Sequence, residues 1–588
     1  MCGIFSYLGD SQQAAQIVFS GLKSLEYRGY DSWGVAVIPT QGKQIQIKKR
    51  VGKIGQANVD QLSSGNLAIG HTRWATHGGV TQLNAHPHLD CSGKIAVVHN
   101  GIIENYLPLK NKLKQQTHQF VSETDTEVVS HLLEKYCQQM SLAKAIRKVF
   151  KNITGHNAII ATHLEEQQIV AAKNGSPLVI GFTSNATYLA SDPSALLPYT
   201  KTVYFLQDGE MAVIEVNKVS LFDLQTGKEL LINKQELAWQ STNLDKGKYH
   251  YFMEKEILEQ DRVITQIATS NSYAPVTELI KKAKQIYVIG CGTASYAAWA
   301  SQYIFAQVAD QKINWCVAEE FAHLLKFVDQ DTLIIAISQS GETMDIIETV
   351  NQAKKRGAKI IALTNVLGST LFRLADDSIL IGAGPEKGVA STKAFVGMLS
   401  HLIMLAYSLK GLPEVGQKML LDTAQEVKKI TSPLMRIKIK GLASQLKDDD
   451  KLFVIGRGIA NIAAAEIALK IKEISYIHAE SVIGGELKHG PLALIEKGVK
   501  CLVIVFADDY YLATIGSSME IKARGAEIIG ISSQDSPVFD QLIKFKDREL
   551  GSLILAVIIG QLLSYELTLL KGLDPDMPRN LAKSVTVG

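Results

Sequence analysis

Cys2 stands directly behind the initiator methionine. A small residue there lets Met1 be removed, leaving a thiol and an α-amino group on one residue. An α-amine titrates near about 7.7–8.0 and a thiol near about 8.5, so the amine can take the thiol proton close to neutral pH. Base and nucleophile then need no separate triad. A cysteine at position two is often incidental, and its companions carry the reading. His71-Thr72-Arg73-Trp74-Ala75-Thr76-His77-Gly78 offers a guanidinium, hydroxyls and imidazoles in what reads as a turn-like segment after a strand, and Asn84–His88 adds more. Asn100 and Gly101 follow an expected strand, Ile95–Val98, so an amide side chain and a backbone N–H can face a developing oxyanion. Ser122–Glu127 opens a helix and offers a carboxylate for an ammonium, while Arg73 suits a carboxylate. An amino-acid substrate needs both.

A second group of residues points to a phosphorylated ligand. Ser338-Gln339-Ser340-Gly341-Glu342-Thr343 lies between an expected strand and a helix N-terminus. Backbone N–H groups and three hydroxyls there can surround a phosphate without a lysine. A simple N-cap would need one hydroxyl. Gly290-Cys291-Gly292-Thr293 is a common glycine turn and weak by itself, and Val389–Lys393 adds hydroxyls. Lys470 and Glu473 lie three apart on an expected helix, Ala463–Tyr476, hence on one face; such a pair is ordinarily a surface ion pair. His489 lies in a turn and Lys583 in the C-terminal tail, where a solvated lysine is ordinary.

The elements that must position these groups fall into two textures. Roughly the first 240 residues alternate short apolar runs (Trp33–Ile38, Leu67–Ile69, Ile95–Val98, Asn157–Thr162) with Gly, Asn and His, and include a helix Asp125–Lys135. A polar stretch, Asn233–Tyr249, reads as a linker entering a helix Glu254–Ala268. Beyond it, strand, glycine loop, helix and strand alternate, which argues for open parallel sheets with helices on both faces. This half also repeats. Ile286–Ala298 parallels Leu452–Ala464, and Arg356–Ile361 parallels Arg524–Ile529, at offsets of 166 and 168 residues. The first copy keeps the hydroxyl-rich Ser338–Thr343 loop; the second has Phe506-Ala507-Asp508-Asp509 in its place, so the ligand is expected in the first. The expected domains are 1–240, a linker and entry helix over 241–275, the repeat copies 276–430 and 431–570, and a tail 571–588.

Composition narrows the classes. With 46% hydrophobic and 20% charged residues over 588 positions, the chain can bury several cores. A formal charge of +3 suggests no nucleic-acid or membrane surface. Six scattered cysteines without a close pair argue for a reduced, cytoplasmic chain rather than disulfides or a zinc knuckle. The N-terminus lacks a signal-peptide pattern. Leu553–Leu570, interrupted by Gln561 and Glu566, reads as a buried core helix rather than a membrane span.

Cys2-Gly3-Ile4, Glu26–Ser32, Arg73–His77, His99-Asn100-Gly101 and Thr124–Glu127 together resemble the class II glutamine amidotransferases, and over the whole chain, including Arg579–Val587, the glutamine:fructose-6-phosphate amidotransferase family. The resemblance implies an N-terminal nucleophile domain, α/β-layered, followed by two doubly wound parallel-sheet sugar isomerase domains, an α/β and α+β chain. It implies Cys2 as nucleophile, Asn100 and Gly101 as oxyanion hole, Arg73, Thr76, His77 and Asp125 as glutamine contacts, and Trp74 as gate of an ammonia channel. For fructose 6-phosphate it implies contacts from Thr293, Ser338, Gln339, Ser340, Thr343, Val389 and Ser391, with Lys470 in support. Lys583 would form an imine with the open-chain ketose, Glu473 would move the proton between C1 and C2, and His489 would assist ring opening from the neighbouring subunit of a homodimer. No metal or organic cofactor is implied. Three positions depart from the family pattern: Ala294 for a serine, Tyr251 for a histidine and Gly588 for a glutamate. Amide transfer to another phosphosugar, or a non-catalytic sugar-phosphate sensor, are the alternatives.

Overall fold

A computed structural model of the chain describes residues 2–237, 245–270 and 272–585. The chain divides into two compact units, Met1–Asp245 with Ala582–Gly588, and Lys246–Leu581.

The first unit is built on two antiparallel sheets, of eight and seven strands. Side-chain alternation sorts each strand onto two layers. In Gly3–Gly9, Ile4 and Leu8 enter the apolar layer between the sheets, while Phe5 and Tyr7 pack under the helix Ala14–Leu25. In Ile95–Gly101, Ala96 and Val98 join that same middle layer, and Ile95 and Val97 pack under the helices Glu127–Cys137 and Leu142–Phe150. The layers therefore run helix, sheet, sheet, helix. With both faces covered, the strands Gly3–Gly9, Ser32–Ile38 and Leu67–Arg73 are buried throughout and show no polar-outward alternation.

Two strands run further than their apolar cores. Leu67–Arg73 carries His71, Thr72 and Arg73 inside the sheet, with Thr72 opposite Gly3, and Ile95–Gly101 carries Asn100 and Gly101, with Gly101 opposite Asn157. The expected turn at His71 therefore begins only at Trp74. Ladder pairing persists because the buried polar side chains find partners of their own, so the strands need not stop where the apolar residues do.

The second unit holds two five-stranded parallel sheets of the same strand order. The first runs Asn314–Val317, Gln285–Gly290, Thr332–Ser338, Lys359–Thr364, Asp377–Leu380; the second runs His478–Ile483, Lys451–Gly456, Lys500–Val505, Glu527–Ser532, Gln541–Lys544. One apolar cluster extends through both copies, from Met253 to Leu567. The helix Gly551–Leu570 lies in it, packed on Ala460–Ser475, Pro433–Leu446 and Pro413–Ile430. By length and composition this helix could cross a membrane, yet 89% of its most apolar window is buried within the protein.

The expected helix Glu254–Ala268 is two helices, Phe252–Leu258 and Gln260–Ser270. At the break the Gln260 side chain donates to the Ile257 carbonyl (3.0 Å) and to Gln561 (2.9 Å), replacing a backbone bond and tying the junction to the buried helix. Tyr251 precedes the first of them without capping it; Asp576 does so instead, accepting from the Phe252 and Met253 N–H groups at 2.8 Å. Residues 238–244 of the expected linker, and Gly588, lie outside the described residues.

Candidate active sites

In the first unit a cleft of about 460 Å³ is lined by Cys2, Arg73, Trp74, Thr76, His77, Asn100, Gly101 and Asp125. Every candidate of the amide chemistry is in it. Cys2 precedes the strand Gly3–Gly9, which pairs with Leu67–Arg73, so the loop leaving that second strand passes the thiol. The Trp74 N–H donates to Cys2 Sγ at 3.3 Å, and the thiol reaches the Trp74 carbonyl at 3.5 Å. Burial pushes the Cys2 thiol up, while the Trp74 N–H and the Arg73 guanidinium pull it back. Deprotonation thus needs a base in place.

Asn100 is held from both ends of its amide. Its Nδ2 donates to the Cys2 carbonyl at 3.1 Å, and its Oδ1 lies 3.1 Å from His71 Nε2, which also reaches the His99 carbonyl at 3.0 Å. Burial pulls the His71 ring down to about 3, so it stays neutral, and its Nε2–H donates to both oxygens. The sequence reading gave His71 no role; the structure makes it the residue that orients Asn100. Further buried histidines extend the wall. Thr126 Oγ1 bridges His86 Nε2 (2.9 Å) and His99 Nδ1 (2.8 Å), and burial lowers both rings.

Arg73 is buried and donates to the carbonyls of His77 (2.5 Å), Gly78 (3.0 Å) and Gly79 (3.1 Å), so it braces the loop that carries Thr76 and His77 into the cleft. Asp125 is fixed through Oδ2 by the Ile103 N–H at 2.8 Å. Glu123, in the same segment, instead accepts from Asn84 and Gly79 on the cleft's outer side.

In the second unit the strand Thr332–Ser338 delivers the hydroxyl loop to the start of the helix Met344–Lys355. Ser338 Oγ and Thr343 Oγ1 lie 3.0 Å apart, and the Gly341 N–H donates to Ser338 Oγ at 3.0 Å. Gly341 has φ +66°, and a Cβ there would sit 2.1 Å from Ser369 Oγ and 2.7 Å from Thr364 Oγ1, so only glycine fits. Those two hydroxyls are buried without a hydrogen-bond partner and were not anticipated. The Gln339 carbonyl accepts from Asn365, and the Glu342 carboxylate accepts from Thr370, both N–H groups of the next loop. Val389 donates its N–H to the Asp576 carbonyl at 3.1 Å, and Ser391 Oγ donates to Glu386 at 3.1 Å.

Thr293 opens the helix Thr293–Ala309, and its hydroxyl donates to Glu466 at 3.3 Å, on the helix Ala460–Ser475 of the other copy. Glu466 lies 3.5 Å from Lys470, and Lys470 also pairs with Glu473. This is no surface ion pair, because Lys470 and Glu466 are fully buried and only Glu473 reaches solvent. Burial pushes the Glu466 carboxyl up to about 8, with Lys470 opposing and Glu473 reinforcing. Burial also pulls the Lys470 ammonium down, but its two carboxylates outweigh that and hold it above its ordinary value. One cation serves two acids, and the drier acid keeps its proton. Glu466 was missed in sequence, although an acid one turn before Lys470 in an Ala/Ile-rich helix is a visible signal. Ala294 and Ser295 are both buried in the first turn beside Thr293. His489 is exposed on the turn Leu487–His489, with no hydrogen bond from its ring to Glu473 among the described residues. Lys583 belongs with the first unit and Glu473 with the second.

A layered unit with an N-terminal thiol beside an amide-lined pocket, joined to twin parallel-sheet copies with a hydroxyl loop, defines a glutamine amidotransferase coupled to a sugar isomerase pair. The glutamine amidotransferase domain family matches residues 71–198, and the SIS domain family matches 279–408 and 445–570. The glutamine–fructose-6-phosphate aminotransferase (isomerizing) of Thermococcus kodakarensis is 41% identical over 613 residues, and that of Thermus thermophilus 40% over 608, each covering 100% of both chains. Among solved structures, the C-terminal domain of glucosamine-fructose-6-phosphate aminotransferase from Francisella tularensis aligns with TM-score 0.51 and 30% identity, over 57% of this chain and 99% of that one. The chain belongs to the glutamine–fructose-6-phosphate aminotransferase (isomerizing) family.

Proposed function

We propose that the chain transfers the amide nitrogen of L-glutamine to D-fructose 6-phosphate, with ketose-to-aldose isomerisation, giving D-glucosamine 6-phosphate and L-glutamate. Arg73 and Asp125 receive the carboxylate and ammonium of glutamine, with Thr76 and His77 beside them. Once Met1 is removed, the Cys2 amine takes the thiol proton and the sulfur attacks the amide carbon. Asn100 Nδ2–H and Gly101 N–H meet the oxyanion. The intermediate collapses to a thioester, and ammonia leaves with the proton that the amine returns. Water then releases glutamate from the thioester. Ammonia travels through a closed passage gated by Trp74, because protonation in bulk water would end its use as a nucleophile.

At the sugar, Ser338, Gln339, Ser340 and Thr343 hold the phosphate, and Thr293, Val389 and Ser391 contact the chain. His489 of a neighbouring subunit in a homodimer assists ring opening. Lys583 condenses with the C2 carbonyl, expelling water, and ammonia then displaces the lysine. Glu473 takes a proton from C1 and returns it to C2, with Lys470 beside it. The enzyme works in the cytoplasm.

The observation that carries this reading is the Cys2 thiol at 3.3 Å from the Trp74 N–H, beside an Asn100 amide oriented by His71. The test mixes purified protein with glutamine and fructose 6-phosphate and follows glutamate and glucosamine 6-phosphate by mass. Lys583→Ala should keep glutamate release and lose the aminosugar. Aminosugar formation at the unmodified rate would refute the role of Lys583, glutamate without aminosugar in the parent would point to another acceptor, and no turnover would leave a sensor.

A further inference from the structure

Cys91, His118, His131 and Glu134 take no part in the chemistry above, yet their donor atoms all lie within 4.8 Å of one another. Three separate stretches of the first unit bring them there. Cys91 sits in the turn between the strands His88–Leu89 and Ile95–Gly101, and His118 in the loop after the helix Tyr106–Gln115. His131 and Glu134 are one turn apart on the helix Glu127–Cys137. Cys91 Sγ lies 3.5 Å from His131 Nδ1; Glu134 Oε2 lies 3.2 Å from that same nitrogen and 2.7 Å from His118 Nδ1. Ligand atoms at about 2.0–2.3 Å around a tetrahedral zinc ion lie roughly 3.3–3.8 Å apart. The Cys91–His131 and Glu134–His131 spacings, 3.5 and 3.2 Å, are near that range, and an ion would draw the other donors, all within 4.8 Å, into it.

We propose that these four side chains form a binding site for a four-coordinate transition-metal ion of the zinc class. Thiolate and imidazole donors select such an ion over magnesium or calcium, and a thiol, two imidazoles and one carboxylate complete a tetrahedron. A second observation points the same way. His131 Nε2 is buried without a hydrogen bond and faces Glu127 Oε1 at 3.7 Å. A histidine that gives Nδ1 to a metal carries its proton on Nε2, and a carboxylate behind that proton orients the ring. Glu127 is itself fixed by the Val121 and Ser122 N–H groups and the Ser122 hydroxyl. Without an ion, two carboxylates face one ring, and a neutral imidazole can donate to only one of them. An imidazolium wedged between the two is the competing account, in which the Cys91 sulfur accepts from the Gln119 N–H at 3.4 Å and only sits beside the ring.

The exposed Cys91 leaves a path for the ion from solvent. Binding releases the thiol proton to water and pins two loops to a helix whose approach, Thr124–Thr126, forms one wall of the Cys2 cleft. The site thus braces that wall from behind.

The test strips purified full-length protein with a chelator and titrates in cobalt(II) alone. One cobalt per chain is expected, with thiolate-to-metal charge-transfer absorption and the strong visible bands of a four-coordinate ion. Cys91→Ser should lose the charge-transfer band, and both it and His118→Ala should weaken binding at least tenfold, in the range of lost metal-site contacts. Zinc should displace the cobalt and raise the unfolding temperature of the parent but not of either variant. Equal unfolding temperatures of the stripped parent and variants establish that the substitutions leave the fold intact. If the parent takes up no cobalt, or the charge-transfer band survives Cys91→Ser, the cluster is an ion-pair assembly and the proposal fails.

Discussion

In the first sugar isomerase copy the strand Thr332–Ser338 hands over to a hydroxyl loop and the helix Met344–Lys355. In the second the equivalent strand Lys500–Val505 hands over to Phe506–Asp509 and the helix Tyr511–Lys522. Strand order is the same in both, and so is the glycine turn after the leading strand. Gly292 and Gly458 both have φ +54°, and a Cβ on Gly290 or Gly456 would lie 2.6 Å from the carbonyl carbon of Ala294 or Ala460. The backbone plan is thus shared down to its tight contacts, while the chemistry is divided. One copy keeps the hydroxyl loop proposed above to hold the phosphate; the other carries Glu466, Lys470 and Glu473 on the helix Ala460–Ser475. Duplicated architecture leaves each copy free to specialise at loops and helix faces that the sheet does not need.

Four substitutions sharpen or break this division. Glu473→Gln removes the proposed proton carrier from the second copy, so kcat for aminosugar formation should fall roughly 10²–10⁴-fold with glutamine hydrolysis retained, in the range of lost general acid–base catalysis. A loss of less than tenfold in a coupled assay would move the proton chemistry elsewhere. Glu466→Gln acts on stability. Folding raises this carboxyl from 4.5 to about 8, so between those values the folded chain holds a proton that the unfolded chain has lost. Its stabilisation is complete below about pH 4.5 and drains as pH rises toward 8, by up to about 1.4 kcal/mol per pH unit. Urea unfolding of the glutamine variant from pH 5 to 8 should show a flatter slope than the parent. Thr343→Val takes one hydroxyl from the first copy's loop, and KM for fructose 6-phosphate should rise about tenfold, the effect of one lost hydrogen bond to a charged group. Asp509→Ala, at the matching exposed place in the second copy, should change KM by less than about twofold, as surface substitutions do. A KM shift there as large as at Thr343 would erase the asymmetry.

Much of this was legible because it is written locally. The 166-residue repeat, the Ser338–Thr343 loop and the buried helix near the C-terminus follow from period and composition, and they appear in the fold where those patterns put them. Features that depend on a distant partner were not legible. Nothing near His71 says that its ring will meet Asn100 on the facing sheet, and nothing near Gln260 predicts that its amide will replace a helical bond because Gln561 lies beside it. The spacing of the cysteines argues against zinc, yet Cys91 meets His131 from forty residues away. Only His131 and Glu134, three apart on one helix, left a trace that sequence could have caught. The burial of Lys470 was not legible for the related reason that helix spacing reports a shared face but not which face is covered.

The helix Gly551–Leu570 carries one last implication, for how the chain is made. It fills the middle of the second unit and is the last helix in sequence order among the described residues. At about 5–20 residues per second, the ribosome holds a second unit with an open centre for on the order of 15–60 s. The sheets of the first unit have all emerged by then. Chaperone protection during synthesis is therefore needed mainly by the sugar-binding half. A stalled nascent chain ending before Gly551 should be cut by protease in that half while its N-terminal half resists.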